Sequence, residues 1–223
     1  MKIEEIFPIS YCINLDKRPD RWETVKEELK KLNINVERFP GIYIENNPAM
    51  GCKMSHKHVL EKAFLNDKNV LIFEDDVRFT SIGGNYREGY FKIEYIEEAL
   101  DELSLLPTWD MFFLGGNPMT YFYQISPHLA KLTRSYCLQA YGISKEFIPI
   151  VLKAMDKYEN LPVDVIYSDI LMPVRNMFIS VPAVAVQRTG YSDIYSTNKN
   201  ENDLLIQDNR YRNFLVNIAF GKE

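Results

Sequence analysis

The chain has 223 residues, 46% of them hydrophobic and 26% charged, enough for one compact core and unlike the composition of a disordered polymer. A formal net charge of −5 with no basic block excludes a duplex-binding surface, so no nucleic acid is expected as a partner. Met1–Tyr11 carries Lys2, Glu4 and Glu5 and no long apolar run, which argues against a signal peptide or transmembrane anchor, and the scattered Cys12, Cys52 and Cys137 read as reduced thiols of a cytoplasmic protein.

Ile9, Tyr11, Ile13 and Leu15 alternate with smaller or polar residues, so Ile9–Leu15 is expected as a strand. Pro19 suits the first turn of a helix, and Trp22, Val25, Leu29 and Leu32 recur at helical spacing, which predicts an amphipathic helix over Pro19–Leu32. Arg38–Ile42 reads as a second strand and Ser55–Leu65 as a second helix, with Val59, Leu60, Ala63 and Phe64 inward. Val70–Phe73 is wholly apolar, the type of strand buried on both faces of a sheet. Helix Ile93–Leu106 and strand Trp109–Leu114 follow, then strand Tyr136–Ile143, helix Lys145–Met155 and a short strand Ala183–Gln187. Ser192–Arg210, polar and rich in Asn and Asp, is expected as a mobile loop, and Phe214–Phe220 as a closing helix. Strand and helix alternate without repeats or linkers, the pattern of a single α/β domain with helices on the faces of its sheet.

The densest chemistry is Val70-Leu71-Ile72-Phe73-Glu74-Asp75-Asp76-Val77. An apolar strand delivers consecutive carboxylates to its C-terminal edge, where open α/β sheets bind ligands. Adjacent carboxylates raise one another's pKa, so the cluster is costly unless a cation neutralises it. Oxygen donors suit Mg²⁺ or Mn²⁺, which also hold diphosphates. A solvated acidic turn accounts for the same residues, and receiver-like or phosphatase-like sites place acids at the same edge, so the cluster alone does not choose the chemistry.

Asn14-Leu15-Asp16-Lys17-Arg18-Pro19-Asp20-Arg21-Trp22 offers two arginines and a helix N-terminus to a phosphate or nucleobase; the plainer reading pairs Arg18 and Arg21 with Asp16 and Asp20. In Gly51-Cys52-Lys53-Met54-Ser55-His56, Ser55 is placed to cap the second helix and His56 to face a cleft. With His58 so close, one of the two histidines is expected on the outer face. No His-x-x-x-His or His–Cys spacing is read as a zinc site. Asp164 and Asp193 are isolated acids, each either a helix cap or a general base. Gly115–Gly116 marks close approach to a ligand or a turn.

Taken in order, these segments, with Trp109–Gly115, Tyr141-Gly142-Ile143-Ser144, Pro162-Val163-Asp164, Pro182–Gln187 and Ser192-Asp193-Ile194, resemble glycosyltransferase family 25, which includes bacterial lipooligosaccharide and procollagen galactosyltransferases. The resemblance runs from about Ile9 to about Ile194. It implies a GT-A-type fold over 1–223, with a nucleotide-binding part over about 1–115 and an acceptor-side part over about 116–223. It also implies a UDP-hexose donor, typically UDP-galactose, inversion at the anomeric carbon, and a glycan or hydroxylated side chain as acceptor. Carried over, Asp76 is the main Mn²⁺ (or Mg²⁺) contact, beside Glu74 and Asp75. Asn14, Leu15 and Arg18 lie along the nucleotide; Ser55, His56 and Gly115 line the donor pocket; Gln187 and Ser192 close the site. Asp164, then Asp193, is the candidate base. Two departures stand out. Arg78–Tyr90, with Gly83–Gly84, reads as a longer loop after the acids, and with no second transferase domain in the chain, collagen is not inherited as acceptor. A non-catalytic sugar-nucleotide or glycan-binding module of the same fold is the alternative, and a phosphoryl-transfer or receiver-type domain a third reading.

Overall fold

The computed structural model describes residues 1–82, 88–89, 91–120, 122–188, 190–192 and 197–199, with backbone alone at 81–82, 88–89, 190–192 and 197–199. After one helical turn, α1 (Ile3–Ile6), strand β1 (Ile9–Leu15) leads into helix α2 (Pro19–Leu29) and a 3-10 turn over Lys30–Leu32. Next come β2 (Glu37–Gly41), helix α3 (Pro48–Leu65), β3 (Val70–Glu74) and β4 (Val77–Phe79). Helix α4 (Glu94–Ser104) and β5 (Met111–Phe113) precede a hairpin of β6 (Tyr123–Ser126) and β7 (Leu129–Lys131). The last elements are β8 (Ala140–Ile143), helix α5 (Ile148–Lys157), β9 (Met177–Ser180) and β10 (Ala185–Gln187).

Eight strands form one sheet in the order β2-β1-β3-β8-β5-β9-β7-β6. β2, β1 and β3 are parallel, and β9 is parallel to β5. β8 runs against both β3 and β5, and β7 against both β9 and β6. Six strands therefore share one direction and only β8 and β7 are reversed. This is the mostly parallel, helix-flanked α/β sheet that the sequence implies.

β3 shows why the acids sit where they do. Val70 and Ile72 enter one core, with Val59, Leu60 and Ala63 of α3 and Val151 of α5. Leu71 and Phe73 enter the other, with Val25 and Leu29 of α2 and Leu100 and Leu103 of α4. The two-residue repeat of a strand makes this alternation, and burying each such side chain stabilises the fold by about 1.5–3 kcal/mol. The crossovers from β1 to β2 and from β2 to β3 run in opposite directions. They lay α2 and α3 on opposite faces, as a common right-handed sense requires.

Several expectations need correction. Helix α3 starts at Pro48, with the Asn47 side chain accepting from Met50 N–H at 3.1 Å, so Ser55 lies mid-helix and caps nothing. Phe64, expected inward, is 50% exposed. The single strand over Tyr136–Ile143 is broken at Cys137, whose φ is 71°, into Ser135–Tyr136 and β8. The β6–β7 hairpin, β9 and the helical turns between Val163 and Val174 are not among the expected elements. Within the expected loops, Ser81–Ile82 pairs with Glu88–Gly89, and Gly190–Ser192 with Thr197–Lys199. Asp193, the rest of Ser192–Arg210 and the helix expected at Phe214–Phe220 lie outside the described residues.

Candidate active site

The C-terminal ends of β1, β2 and β3 and the start of α3 enclose a cleft of about 680 Å³, its open mouth included. Small-molecule sites combine apolar walls with a few placed polar groups. Here Ile13, Leu15, Ile42 and Pro48 supply apolar wall, while Glu74, Asp76, His56 and Gln187 supply polar lining. Tyr43 stands at the cleft, 43% exposed, with Lys17 Nζ 3.2 Å from its ring centre.

The three consecutive acids have different surroundings. Asp75 is buried and both its oxygens are engaged: Oδ1 accepts from Arg21 at 2.8 Å and Oδ2 from Asn14 at 2.7 Å. Burial still raises its pKa, against the pull of Arg21 and the Asn14 hydrogen bond. Asp75, expected among the metal ligands, lines the cleft and is held there in a buried ion pair with Arg21. Glu74 and Asp76 are the half-buried carboxylates of the cleft. The field of the cluster reaches the core below, where burial first, then Asp75, Asp76 and Glu74, push the Cys12 thiol well up.

Asn14, expected along the nucleotide, is otherwise engaged: its amide hydrogens go to Arg18 O at 3.0 Å and to Asp75, and its oxygen accepts from Arg38 Nε at 2.8 Å. It ties the end of β1 to the acid turn and to Arg38 of β2, a positioning task. Arg18 forms a bidentate pair with Asp20 at 2.9 and 2.8 Å, in line with the plainer sequence reading. Arg21 and Asp16 part from that reading, pairing with Asp75 and Arg38 instead. Leu15 lines the cleft.

On α3, Ser55 Oγ accepts from Ile42 N–H at 2.7 Å and donates to Gly51 O at 2.8 Å, fastening the cleft wall to the helix. Gly51 permits this approach, since a Cβ there would lie 2.5 Å from Ile42 O. His56 has no exposure, whereas His58 faces solvent. The His56 ring bridges Tyr141 Oη, 2.8 Å from Nδ1, and Glu74 Oε1, 3.1 Å from Nε2; Tyr141 Oη lies 3.4 Å from that of Tyr167. Both tyrosines are fully buried, and burial raises both phenol pKa values. A tautomer of His56 that donates to Glu74 from Nε2 and accepts from Tyr141 at Nδ1 satisfies both contacts and fixes the Glu74 carboxylate.

Asp164 is half-buried in the helical turn at Val163–Val165, and burial raises its pKa; the Val165 backbone opposes this, and the Glu74 charge raises it further. It therefore shares the electrostatic field of the acid cluster, although it is not among the residues that line the cleft. Gln187 is carried to the cluster by the β4–β10 ribbon, in register with Val77, and Arg188 N–H donates to Asp76 O at 2.6 Å. Gly115 packs against the backbone at Ala185. A Cβ there would lie 1.7 Å from Ala185 O, so its open face is filled by the chain entering β10. Ser192 is described by backbone alone and Asp193 lies outside the described residues.

Residues 47–112 match the family model of glycosyltransferase family 25 (LPS biosynthesis protein). A glycosyltransferase 25 family member of Aedes aegypti is 28% identical over 47% of this chain and 20% of its own length. One from Anopheles gambiae is 25% identical over 69% of this chain and 30% of its own. Over residues 47–112 the chain resembles glycosyltransferase family 25. Within the family, the Bos taurus protein named "probable inactive glycosyltransferase 25 family member 3" is 28% identical over 74% of this chain and 31% of its own length. The chain thus spans less than a third of the length of these family 25 relatives. A solved structure, "crystal structure of a glycosyltransferase involved in the glycosylation of the major capsid of PBCV-1", aligns over 91% of this chain and 97% of its own, at 11% identity and a TM-score of 0.46. The family 25 match holds Ser55, His56 and Glu74–Asp76; Asn14, Leu15, Arg18, Gly115, Asp164, Gln187, Ser192 and Asp193 lie beyond it.

Cys52 joins the site although the sequence reading leaves it out. It stands four residues before His56 on one helix face, and with Glu74 the ligand atoms of the three lie within 4.8 Å of one another. The spacing Cys-x-x-x-His is the signal that could have found it, and it gains meaning only when Glu74 is packed beside it. Tyr141 and Tyr167 escape sequence reasoning too, because a buried tyrosine in an apolar run gives no sign of its hydrogen bonds.

Proposed function

We propose that this chain transfers a hexose, galactose first among the candidates, from a UDP-sugar to a hydroxyl of a glycan or hydroxylated side chain, with inversion at the anomeric carbon. The observation that carries the reading is the cleft itself. Apolar wall and half-buried carboxylates meet at the C-terminal ends of three parallel strands, where α/β sheets hold nucleotides. The Ile13, Leu15 and Ile42 wall, with Tyr43, would take the base and ribose, and the acidic end the diphosphate. The donor set fits a hard divalent ion: Glu74 and Asp76 offer carboxylate oxygens, to be completed by phosphates and water. Bound there, Mn²⁺ or Mg²⁺ would supply Lewis-acid stabilisation of the departing diphosphate.

The protein's own groups account for the rest. As the acceptor oxygen bonds to the anomeric carbon, the bond to the donor phosphate breaks and its electron pair leaves with UDP. Asp164 takes the hydroxyl proton, its burial having raised its basicity above that of an ordinary carboxylate. His56 and the tyrosines behind it hold Glu74 in place, and Asn14 and Arg21 hold the turn that aims Asp76. A nucleotide part over about 1–115 and an acceptor part over the remainder belong to this reading. So does work in the cytoplasm, which rests on Cys12, Cys52 and Cys137 forming no disulfide. Among the described residues no helix is long and apolar enough to cross a membrane.

The likeness to a relative named inactive favours one second reading, a module of this fold that binds sugar nucleotides without turnover. Acceptor-dependent release of UDP from UDP-galactose with Mn²⁺ decides between them. Release that is lost in Asp76→Ala selects the transferase; UDP binding with no release in any acceptor screen selects the binder.

A further inference from the structure

The donor reading uses Glu74 and Asp76 but leaves Cys52 and His56 without chemistry of their own. We propose that Cys52, His56 and Glu74 form a zinc-binding site in the wall of the cleft, a thiolate–imidazole–carboxylate set distinct from the all-oxygen donor-metal site, sharing Glu74 with it. The binding itself stands independently of the transferase reading; its effect on transfer rests on that reading.

Three observations converge. Cys52 and His56 are one helical turn apart on α3, so their side chains project from the same face. His56 Nε2 lies 3.1 Å and Cys52 Sγ 4.0 Å from Glu74 Oε1, and all three ligand atoms fall within 4.8 Å of one another. Zinc bond lengths of about 2.3 Å to sulfur and about 2.0–2.2 Å to nitrogen or oxygen, at tetrahedral angles, place ligand atoms roughly 3.4–3.6 Å apart. The separations from Glu74 Oε1 bracket that range, and with the Cys52 and His56 ligand atoms no more than 4.8 Å apart, side-chain shifts of up to about an ångström admit the ion. The outer support is also present. Zinc-ligating imidazoles are oriented through their other nitrogen, and here Nδ1 meets Tyr141 Oη at 2.8 Å.

Binding reverses that chain. The Cys52 thiol releases its proton to solvent, the single ring proton of His56 passes from Nε2 to Nδ1, Nδ1 becomes the donor to Tyr141 Oη, and Tyr141 turns its own proton towards Tyr167 Oη at 3.4 Å. Three protein ligands and a fourth position facing the cleft make an open site, not a closed structural one. Mixed sulfur–nitrogen donors select zinc over the harder Mn²⁺ or Mg²⁺. Zinc that holds Glu74 takes an oxygen from the donor-metal site, so it opposes UDP binding.

The test uses Co²⁺ as a spectroscopic substitute for zinc in the full chain, with no sugar nucleotide present. One equivalent is expected to give thiolate-to-cobalt charge-transfer absorption, abolished by Zn²⁺ and absent from Cys52→Ser, while Cys12→Ser and Cys137→Ser retain it. Absorption missing from the wild type, or surviving in Cys52→Ser, overturns the site. Should Cys52→Ser fail to fold, alkylation of the wild type decides: zinc is expected to protect Cys52 from iodoacetamide, and equal labelling with and without zinc refutes the site. Tyr141→Phe is expected to weaken zinc affinity by about tenfold. Zinc is further expected to weaken Mn²⁺-dependent UDP binding in the wild type and not in Cys52→Ser; equal weakening in both removes the shared role of Glu74. Absence of UDP binding with Mn²⁺ alone refutes the donor reading and leaves the cobalt result standing.

Discussion

Asp164 is the residue whose proposed chemistry can be separated most cleanly from its structural role. Its carboxyl is held above the ordinary value of 3.8, chiefly by burial, so the fold favours its protonated form. For a pKa raised on folding, the stabilising contribution is full below the unfolded value and is lost as pH rises through the folded value. Asp164→Asn should therefore melt higher than the wild type at neutral pH, the gap closing in acid, while transfer is lost with UDP binding intact. Melting curves over a pH series and a UDP titration check both halves. Equal transfer by the variant would remove Asp164 as base. Asp75 behaves in the opposite manner when truncated. Asp75→Ala leaves Arg21 and Asn14 without their shared acceptor, and about 3 kcal/mol of stability should be lost by urea unfolding, with Arg21→Ala costing less than additively on top. Tyr141→Phe should cost about 1–3 kcal/mol, because it strands Nδ1 of a fully buried His56.

At the scale of elements, Gly115 sets a limit on how the sheet meets the β4–β10 ribbon. Gly115→Ala would drive a Cβ into Ala185 O and push away the segment that carries Gln187. A loss of about 3 kcal/mol or more is expected, with weaker UDP binding measured by titration on the folded fraction. The same elements show what is legible in the sequence. β1, α2 and β3 announce themselves because strand alternation, a first-turn proline and an unbroken apolar run are local signals. Helix α3 begins seven residues before the expected Ser55, because Gly51 and Lys53 interrupt its early apolar pattern; Lys53 is buried through bonds to Tyr158 O and Glu159 O that no local rule anticipates. The β6–β7 hairpin is invisible for a related reason. Exposed Tyr123 and Ile125 on the sheet's edge blur the contrast between its two faces, and its pairing to β9 spans distant sequence.

At the scale of the molecule, the α/β sheet and the position of the acids at its C-terminal edge are legible, while the division of labour among the acids is not. Consecutive residues look equivalent in a sequence. Only the meeting of Arg21 and Asn14 at Asp75 separates the buried, paired acid that supports the turn from its half-buried neighbours Glu74 and Asp76. The His56–Tyr141–Tyr167 chain likewise exists only once α3, β8 and the turns after Val163 are packed together. In the proposed mechanism one cleft at the edge of three parallel strands handles the donor, with its metal contacts on Glu74 and Asp76 and its turn braced from behind. Calorimetric titration of UDP in the presence of Mn²⁺, on the wild type and on Asp76→Ala, tests that claim most directly. Binding is predicted in the wild type, abolished by a chelator and lost in Asp76→Ala; equal binding by both proteins, or UDP binding that ignores the metal, would contradict it.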